Sequence, residues 1–221
     1  MTEAGTRSYR EGAGAAAPLA VAVLAFGVSF GLLARAEGWG WVAPIVMSAT
    51  TFAGSAQFAT VSVLGAGGTV AAAIASALLL NARYAPIGVS VAPFLEGPVR
   101  SRFVHAQLVV DESWAIAAEG HGRFNARMLI GAGLLLYVAW VCGTAIGAIG
   151  GELLGDPEVL GLDAAFPALF LALLVPQVRE RRALAAAVLG GAIALVLIPL
   201  APPGIPIVAA SLACLLGIPR R

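Results

Sequence analysis

The octapeptide TFAGSAQF, residues 51–58, sits inside a long apolar stretch and interrupts it with small and polar side chains. A buried hydroxyl or amide must find a hydrogen-bonding partner away from water, so these residue types need a reason. The residues of interest are Phe52, Gly54, Ser55, Gln57 and Phe58. Either Gln57 bonds to a neighbouring helix, or the helix is locally unwound there. In the second case its backbone and Gln57 contact a polar or zwitterionic substrate, with the phenylalanine rings as an apolar wall.

The composition of the whole chain defines the setting of this stretch. The chain has 221 residues, of which 60% are hydrophobic and 11% are charged. Soluble domains are about 45–50% apolar and about 25% charged, so this chain has too few charges to cover a water-facing surface. It is predicted to be an all-α integral membrane protein. The net charge of +1 gives no electrostatic reason for nucleic-acid binding. Cys142 and Cys214 lie in apolar runs, where they are expected to be small buried hydrophobes.

Apolar stretches long enough, or nearly long enough, to cross a bilayer recur along the chain. A crossing helix needs about 20 apolar residues. The stretches are 18–36, 42–65, 69–94, 128–150, 163–178, 183–200 and 204–218. They predict a polytopic helical bundle of about seven transmembrane helices, within a range of about six to eight. We expect a cytoplasmic N-terminal tail over 1–17, a single transmembrane transporter domain over 18–218 and a C-terminal tail over 219–221.

The segment 95–127 is the ambiguous part of this topology, because it concentrates charged residues around an apolar centre. That centre, 103–119, is predicted to be a helix at the membrane surface or an eighth crossing. Cytoplasmic loops are enriched in Lys and Arg, which places the N-terminus and the Arg123/Arg127 pair inside and the acidic loop 151–162 outside. Three strong apolar stretches precede Arg123, whereas an even number of crossings is required. Either 103–119 crosses, or one of the three does not.

Two patterns in the chain have alternative interpretations. A basic start and an apolar run ending in Ala34-Arg35-Ala36 are also typical of a cleaved signal peptide, but Gly27 and Gly31 have the spacing of helix-packing glycines and favour a retained helix. There is also a similarity between two parts of the chain: FAGSAQF and FPALF, residues 166–170, are each followed by an alanine-rich stretch with a helical pattern. This internal similarity indicates two internal repeats, as in many transporters, or reflects only the shared composition of such helices.

The stretch LLLNARYAP, residues 78–86, places Asn81 and Arg83 well inside the third apolar stretch. A charge at the centre of a membrane helix costs about 2.5–3.5 kcal/mol on insertion scales, so it is kept where it is paired or lines an aqueous path. Pro86 has no N–H and frees the carbonyl of Ala82 nearby. An interrupted helix with a cation could hold an anionic group. The alternative is that Arg83 extends its side chain to the lipid headgroups.

Three acidic residues are candidates for proton coupling or ion pairing. Asp111 and Glu112 lie in VVDESW, in the apolar part of the ambiguous segment. If it is buried, Asp111 could pair with Arg83 or carry a proton, since burial without a partner favours the neutral carboxyl. If the segment lies on the surface, both acids are merely solvated. Asp163, shortly before Pro167 in GLDAAFPALF, either suits the N-terminal end of a helix or faces a vestibule.

Motifs of several enzyme classes are missing from the sequence. It contains no GxxxxGK[ST] nucleotide loop, no HExxH and no CxxC, so an ATP-driven pump and a zinc hydrolase have no motif support. An intramembrane protease would need a placed Ser–His pair or paired aspartates, whereas His105 and His121 both lie in the charged segment. We therefore expect no enzyme, no catalytic residue, no cofactor and no metal site.

Three motifs in chain order, FAGSAQF, NARY and DESW, are followed by GLDAAFPALFLALL. In combination they resemble the AzlC family, the large subunit of bacterial branched-chain amino acid exporters, over roughly residues 18–217. The resemblance implies a multi-pass secondary transporter that exports leucine, isoleucine and valine across the inner, or cytoplasmic, membrane and is driven by the proton gradient. It also implies a small hydrophobic partner subunit of the AzlD type. The third motif ends in Trp114, where the family often has another aromatic residue.

The resemblance carries over residue by residue. The matching positions are Phe52, Gly54, Gln57, Phe58, Asn81, Arg83, Asp111, Glu112, Asp163 and Pro167. We predict that interrupted helices around 54–57 and 81–86 form the substrate site, with Arg83 meeting the substrate carboxylate or neutralising Asp111. The predicted substrate-binding residues are Phe52, Gly54, Ser55, Gln57, Phe58, Asn81 and Arg83. The predicted proton-coupling or ion-pairing residues are Asp111, Glu112 and Asp163. The alternatives are a passive channel, an exporter of another small solute, or a non-transporting membrane subunit.

Overall fold

A computed structural model of the chain describes residues 8–154, 171, 174, 175, 178, 181–202 and 204–217. The helices are α1 (Tyr9–Ala36), α2 (Val42–Thr51), α3 (Gly54–Gly65), α4 (Val70–Asn81), α5 (Tyr84–Val91), α6 (Val99–Ala106), α7 (Asp111–Ala117), α8 (Ala126–Leu154), α9 (Arg181–Leu197) and α10 (Ile205–Ser211). Ala92–Phe94 and Leu212–Gly217 form 3₁₀ turns, and β1 (Ala118–Gly120) pairs antiparallel with β2 (Arg123–Phe124). The described residues are thus mostly helical, as predicted, with one short hairpin added. Asp163, Pro167 and most of the predicted stretch 163–178 lie outside the described residues.

Two helices in the described part of the chain are long and apolar enough to cross a membrane. They are α1 and the portion Ala126–Gly151 of α8. A third crossing results if α4 and the segment Tyr84–Phe94 together count as one broken span. The α2 helix is apolar but shorter than a crossing requires. These lengths agree with the predicted membrane class, whereas the total of six to eight crossings stays a prediction.

The chain divides into two compact units, each of them discontinuous in sequence. Unit 1 comprises Met1–Gly54 and Ala82–Gly155, and unit 2 comprises Ser55–Asn81 and Asp156–Arg221. Two of the three changeovers between units fall close to helix interruptions, one inside FAGSAQF between Gly54 and Ser55 and the other inside NARY between Asn81 and Ala82.

Unit 1 is built on the packing of α1 against α8, and glycines set how closely the two helices approach. A Cβ atom added at Gly31 would meet the carbonyl oxygen of Thr144, and one added at Gly147 would meet that of Val28. Further glycines whose added Cβ would meet the backbone of the opposite helix are Gly12, Gly27, Gly131 and Gly143. Small residues allow such close approach in lipid. The packing role that the sequence predicts for Gly27 and Gly31 is therefore confirmed.

The first helix begins at Tyr9, well before the apolar stretch predicted from residue 18. The Ser8 hydroxyl oxygen accepts a hydrogen bond from the Glu11 backbone N–H at 3.3 Å, and the Glu11 carboxylate accepts one from the Ser8 N–H at 2.9 Å. This reciprocal arrangement is a capping box, which satisfies backbone donors at a helix start. Hydropathy alone missed the first turns because Arg10 and Glu11 make them polar.

The predicted helix 42–65 is broken at Phe52 and Ala53. Phe52 adopts the left-handed conformation, with φ +40° and ψ +54°, which is uncommon for a residue other than glycine. Its backbone N–H still bonds to the Ser48 carbonyl at 3.3 Å, so α2 ends with a left-handed cap. Gly54 then begins α3. The expectation that residues 54–57 are unwound was therefore wrong in position, since they form the first turn of α3 and the interruption lies just before them.

The predicted helix 69–94 is broken at Ala82 and Arg83, inside the predicted interruption at 81–86. Pro86 lies in the first turn of α5, where its missing N–H removes no intrahelical bond. The break therefore comes just before the proline, and the proline is accommodated by the helix that follows.

The charged segment forms neither a single surface helix nor a single crossing over 103–119. It forms α6, a non-helical connection at 107–110, α7 and the β-hairpin. The hairpin turn, Gly120-His121-Gly122, has positive φ at all three residues, a conformation that glycine permits at Gly120 and Gly122. Buried apolar residues then join α5, α7, the hairpin and α8 into one cluster, namely Val91, Leu95, Ala117, Phe124, Met128 and Leu129.

Unit 2 contains α3, α4, α9 and α10, with α10 packed on α4 and α9. Gly204 is the residue immediately before α10 and has φ +92°. A Cβ atom added at Gly204 would lie 2.7 Å from the Cβ of Ala72 and 3.2 Å from Cγ1 of Val63. The positive φ and the close approach together explain why this position holds glycine.

Candidate functional site

An ion pair lies at the N-terminal end of α5. Arg83 immediately precedes α5, and Asp111 is the first residue of α7. Arg83 Nη1 lies 3.0 Å from Asp111 Oδ2, and the two side chains are 36% and 31% exposed. Of the alternatives that the sequence left open for Arg83, the structure places it beside Asp111. Both side chains of the pair are thus partly exposed.

Tyr84 is the second neighbour of the Arg83 guanidinium. Arg83 Nη2 donates a hydrogen bond to the Tyr84 hydroxyl at 3.3 Å, and Arg83 Cζ lies 5.1 Å from the centre of the Tyr84 ring. The second distance is within the range of a cation–π contact. Sequence reasoning did not select Tyr84, although it is the last letter of the NARY motif.

Two side chains of α7 hold Asp111 in place. The buried Ser113 hydroxyl accepts a hydrogen bond from the Val110 N–H at 3.0 Å and donates to the Leu108 carbonyl at 2.7 Å, which fixes the start of the helix. Trp114 Nε1 donates to the Ser90 hydroxyl of α5 at 2.9 Å. This bond ties the helix that carries Asp111 to the helix that follows Arg83.

The interrupted end of α2 receives hydrogen bonds from elsewhere in unit 1. A helix leaves its last carbonyls without intrahelical donors, and a membrane interior offers no water to replace them. The Tyr137 hydroxyl donates to the Ala49 carbonyl at 2.7 Å, and Gln107 Nε2 donates to the Thr50 carbonyl at 3.1 Å. The break at Phe52 and Ala53 is therefore stabilised by hydrogen bonds from other parts of unit 1.

Two of the predicted substrate residues lie against aromatic side chains of α8. The rings of Phe52 and Tyr137 meet edge to face, with centres 5.2 Å apart. A Cβ atom added at Gly54 would come within 2.9 Å of Trp140 Cη2. Gly54 thus leaves room for a tryptophan ring, a packing reason that competes with the predicted role in substrate binding.

Four other predicted substrate residues belong to unit 2. Ser55, Gln57 and Phe58 lie in the first turns of α3, and all three are buried. Asn81 ends α4, and among the described residues no hydrogen-bond donor or acceptor reaches its buried Oδ1. A buried amide oxygen without a partner is unusual in native structures, and the buried Ser76 hydroxyl of the same helix is in the same position among the described residues.

Glu112 and Asp163 are the other two acidic candidates. Glu112 follows Asp111 in the first turn of α7 and is half-buried. Asp163 lies outside the described residues, so its predicted role stays a prediction. Among the described residues, no three His, Cys, Asp or Glu side chains cluster closely enough to hold a metal ion.

Two cavities formed by described residues of unit 1 were not indicated by the sequence. One, of about 650 Å³, is polar and is lined by ionisable residues that include Glu96, His105, Glu119, Arg123 and Arg127. The other, of about 450 Å³, is mostly apolar and lies along α5 and α6, with Tyr84 in its wall. Cavities of this size match those that bind small molecules in other proteins.

One motif match in α1 has no catalytic meaning. Residues 27–31, GVSFG, fit the letters of the GxSxG pattern of serine hydrolases. In those enzymes the serine sits on a sharp strand-to-helix turn, whereas Ser29 lies inside a continuous helix and donates a hydrogen bond to the Ala25 carbonyl at 3.1 Å. The glycines of this stretch serve the packing of α1 on α8.

Comparison with known proteins gives a consistent result. A family model described as AzlC protein matches residues 18–154. An uncharacterized membrane protein of Archaeoglobus fulgidus is 33% identical over 209 residues, which cover 93% of this chain and 91% of that protein. The Inner membrane protein YgaZ of Escherichia coli is 26% identical over 204 residues, covering 86% and 82% of the two chains.

A third relative has a name that states a function. The Branched-chain amino acid transport protein AzlC of Bacillus subtilis is 28% identical over 163 residues, which cover 72% of this chain and 64% of that protein. No solved structure matches the chain. The family match covers more than half of the chain and includes the Arg83–Asp111 pair and its supporting helices. The chain is a membrane protein and belongs to the AzlC family.

Proposed function

We propose that the chain is a secondary transporter that exports branched-chain amino acids across the inner membrane and is coupled to the proton gradient. The observation that carries the proposal is the Arg83–Asp111 ion pair, a half-exposed charge pair next to a helix break in a membrane protein. Charged residues at such positions mark substrate or ion pathways. The relative named as a branched-chain amino acid transport protein supports the substrate class.

The pair suits a zwitterionic ligand in its charges and geometry. The Arg83 guanidinium can bind a carboxylate through two parallel hydrogen bonds, and the Asp111 carboxylate can accept from an ammonium group. When an amino acid binds, two ion pairs with the ligand would replace the single ion pair between Arg83 and Asp111, so that neither side chain would lose a partner of opposite charge. Protonation of Asp111 would remove the negative charge beside Arg83 and so favour binding of the substrate carboxylate there, which links proton and substrate on one residue pair. Asp163 is a further candidate for this role.

The remaining predicted residues are proposed to complete the substrate contacts. We propose that Asn81 and Gln57 offer polar groups and that Phe52 and Phe58 offer apolar surface, with Gly54 and Ser55 leaving space. Residues 18–218 would act as one transporter domain of about seven crossings, built from two internal repeats, with short tails at 1–17 and 219–221. A small AzlD-type subunit is proposed as the partner.

Counterflow distinguishes a carrier from the alternatives. Membrane vesicles that contain the chain and the small subunit are preloaded with unlabelled leucine, and entry of labelled leucine is followed. A carrier produces a transient overshoot of label that Arg83→Gln abolishes, whereas the exposed-residue control Arg181→Gln keeps it. Entry without overshoot would indicate a passive channel. No entry of leucine, isoleucine or valine, with the protein present in the membrane, would reject this substrate class. Overshoot without the small subunit would remove the partner from the proposal.

A further inference from the structure

The apolar cavity of unit 1 shares a wall with the Arg83–Asp111 pair. The cavity has a volume of about 450 Å³ and is lined by one face of α5, one face of α6 and Val109. Tyr84 forms part of this wall, and its hydroxyl accepts a hydrogen bond from Arg83 at 3.3 Å. The ion pair and the cavity are thus separated by the thickness of one side chain.

The chemistry of the wall is aliphatic and aromatic. The residues include Val91, Leu95, Val99 and Phe103. The charged residue in the wall is Arg102, and its guanidinium donates to the Ala92 carbonyl at 3.2 Å. That bond holds the Arg102 charge on the protein backbone, so the interior of the cavity favours an uncharged, apolar group.

Gly88 of α5 lines the cavity without a packing reason to be glycine. A Cβ atom added there would have no heavy atom within 4 Å. Its φ is not positive, so the backbone conformation does not require glycine either. Glycine inside a helix costs about 1 kcal/mol relative to alanine. The space above Gly88 is open, and the helix would be more stable if a side chain filled it.

We propose that this cavity receives the aliphatic side chain of the transported amino acid, and that Gly88 determines how large that side chain can be. This inference rests on the proposed function, because it assigns the charged end of the substrate to Arg83 and Asp111. An amino acid with its carboxylate at Arg83 has its side chain within reach of the Tyr84 wall. The occupant to which the charges and the wall point is therefore a hydrophobic amino acid, rather than a lipid chain or a partner helix.

Gly88→Ala, Gly88→Val and Gly88→Leu narrow the cavity in steps. The experiment measures, for the chain with its small subunit in vesicles, the concentrations of leucine and of 2-aminobutyrate that half-inhibit uptake of a labelled substrate. One methylene in an apolar pocket changes selectivity by about 10- to 200-fold. We divide the half-inhibiting concentration of leucine by that of 2-aminobutyrate. This ratio should rise at least about 10-fold in Gly88→Leu and by smaller factors in Gly88→Val and Gly88→Ala.

Two controls separate a pocket effect from damage to the fold. Gly191→Leu changes an exposed helical glycine of α9 that also has open space around it, and it should leave the ratio unchanged. Thermal unfolding in detergent should show that each Gly88 variant is at least as stable as the native chain. If Gly88→Leu does not fold, the ratios for Gly88→Ala and Gly88→Val decide the question.

The inference and the proposed function fail in different ways. If the native chain transports leucine but the ratio does not change in any Gly88 variant, the cavity does not hold the side chain, and only the inference is overturned. An unchanged ratio together with a lipid that co-purifies with the native chain and is lost in Gly88→Leu would assign the cavity to an acyl chain. If the native chain transports no hydrophobic amino acid, the proposed function itself is wrong.

Discussion

Arg83 and Asp111 meet at a distance of 3.0 Å across two separate helices, where a helix break leaves the guanidinium half-exposed. Their helices are tied together by the bond from Trp114 to Ser90, so the pair has a rigid support. The same two side chains can bind to each other or to a zwitterion. The account of function depends on this double capacity.

Charge reversal tests the pairing directly. Arg83→Asp or Asp111→Arg alone should lower the free energy of unfolding by about 1–4 kcal/mol, between the values for exposed and buried pairs, because two like charges then face each other. The double reversal should recover more than half of that loss, measured by unfolding in detergent as a double-mutant cycle. Single variants that remain stable and active, combined with a double variant that is neither, would contradict the pairing.

Asp111 and Glu112 make different predictions as coupling residues. If Asp111 exchanges its proton with substrate binding, Asp111→Asn should keep leucine exchange across the membrane but lose the net export that depends on the proton gradient. Glu112→Gln should keep at least about half of both activities, since the ion pair with Arg83 is made by Asp111 and not by Glu112. Exchange and net export measured in the same vesicles check this. If Glu112→Gln alone loses the proton-dependent net export, the proton-coupling role belongs to Glu112 and not to Asp111.

Close packing of α1 on α8 predicts a sharp contrast between two glycines of α1. Gly31→Ala puts a methyl group against the backbone of Thr144 and should lower the free energy of unfolding by about 1–3 kcal/mol. Gly14→Ala has open space around it and should be neutral or stabilising by up to about 1 kcal/mol. Unfolding in detergent compares the two variants. Equal changes in the free energy of unfolding for the two variants would show that α1 can move away from α8 without loss of stability.

The break at Phe52 should depend on the Tyr137 hydroxyl. Tyr137→Phe keeps the ring against Phe52 but removes the donor to the Ala49 carbonyl, which should cost about 1–3 kcal/mol. Hydrogen exchange of the amides around residues 50–54 should accelerate. The matched control is Tyr9→Phe, because the Tyr9 ring is more than half exposed. Unchanged exchange in Tyr137→Phe would mean that this bond does not hold the break.

The helices and the packing glycines could be predicted from local patterns in the sequence. Hydropathy located α8 and the apolar centre of α1, and the glycine spacing predicted how they pack. The interruption at Ala82 and Arg83 was predictable because a charged residue and a proline occur together inside an apolar run. These features depend on residues close in sequence, where spacing carries the information.

Other features depend on contacts between distant residues, and the sequence did not reveal them. The exact break at Phe52 requires Tyr137 and Gln107 to reach the end of α2. The path of the charged segment depends on Ser113 and Trp114 finding partners outside their own helix turn. The two cavities also result from how several helices meet, which no local pattern describes.

The measurement that tests the central claim most directly is amino acid efflux. Cells without their own exporters are loaded with a leucine-containing dipeptide, and leucine release is followed for the chain with its small subunit, for Arg83→Ala and for the control Arg181→Ala. The account predicts fast release that a proton uncoupler abolishes, that Arg83→Ala loses and that Arg181→Ala retains. No release of leucine, isoleucine or valine by a chain shown to be in the membrane would contradict it.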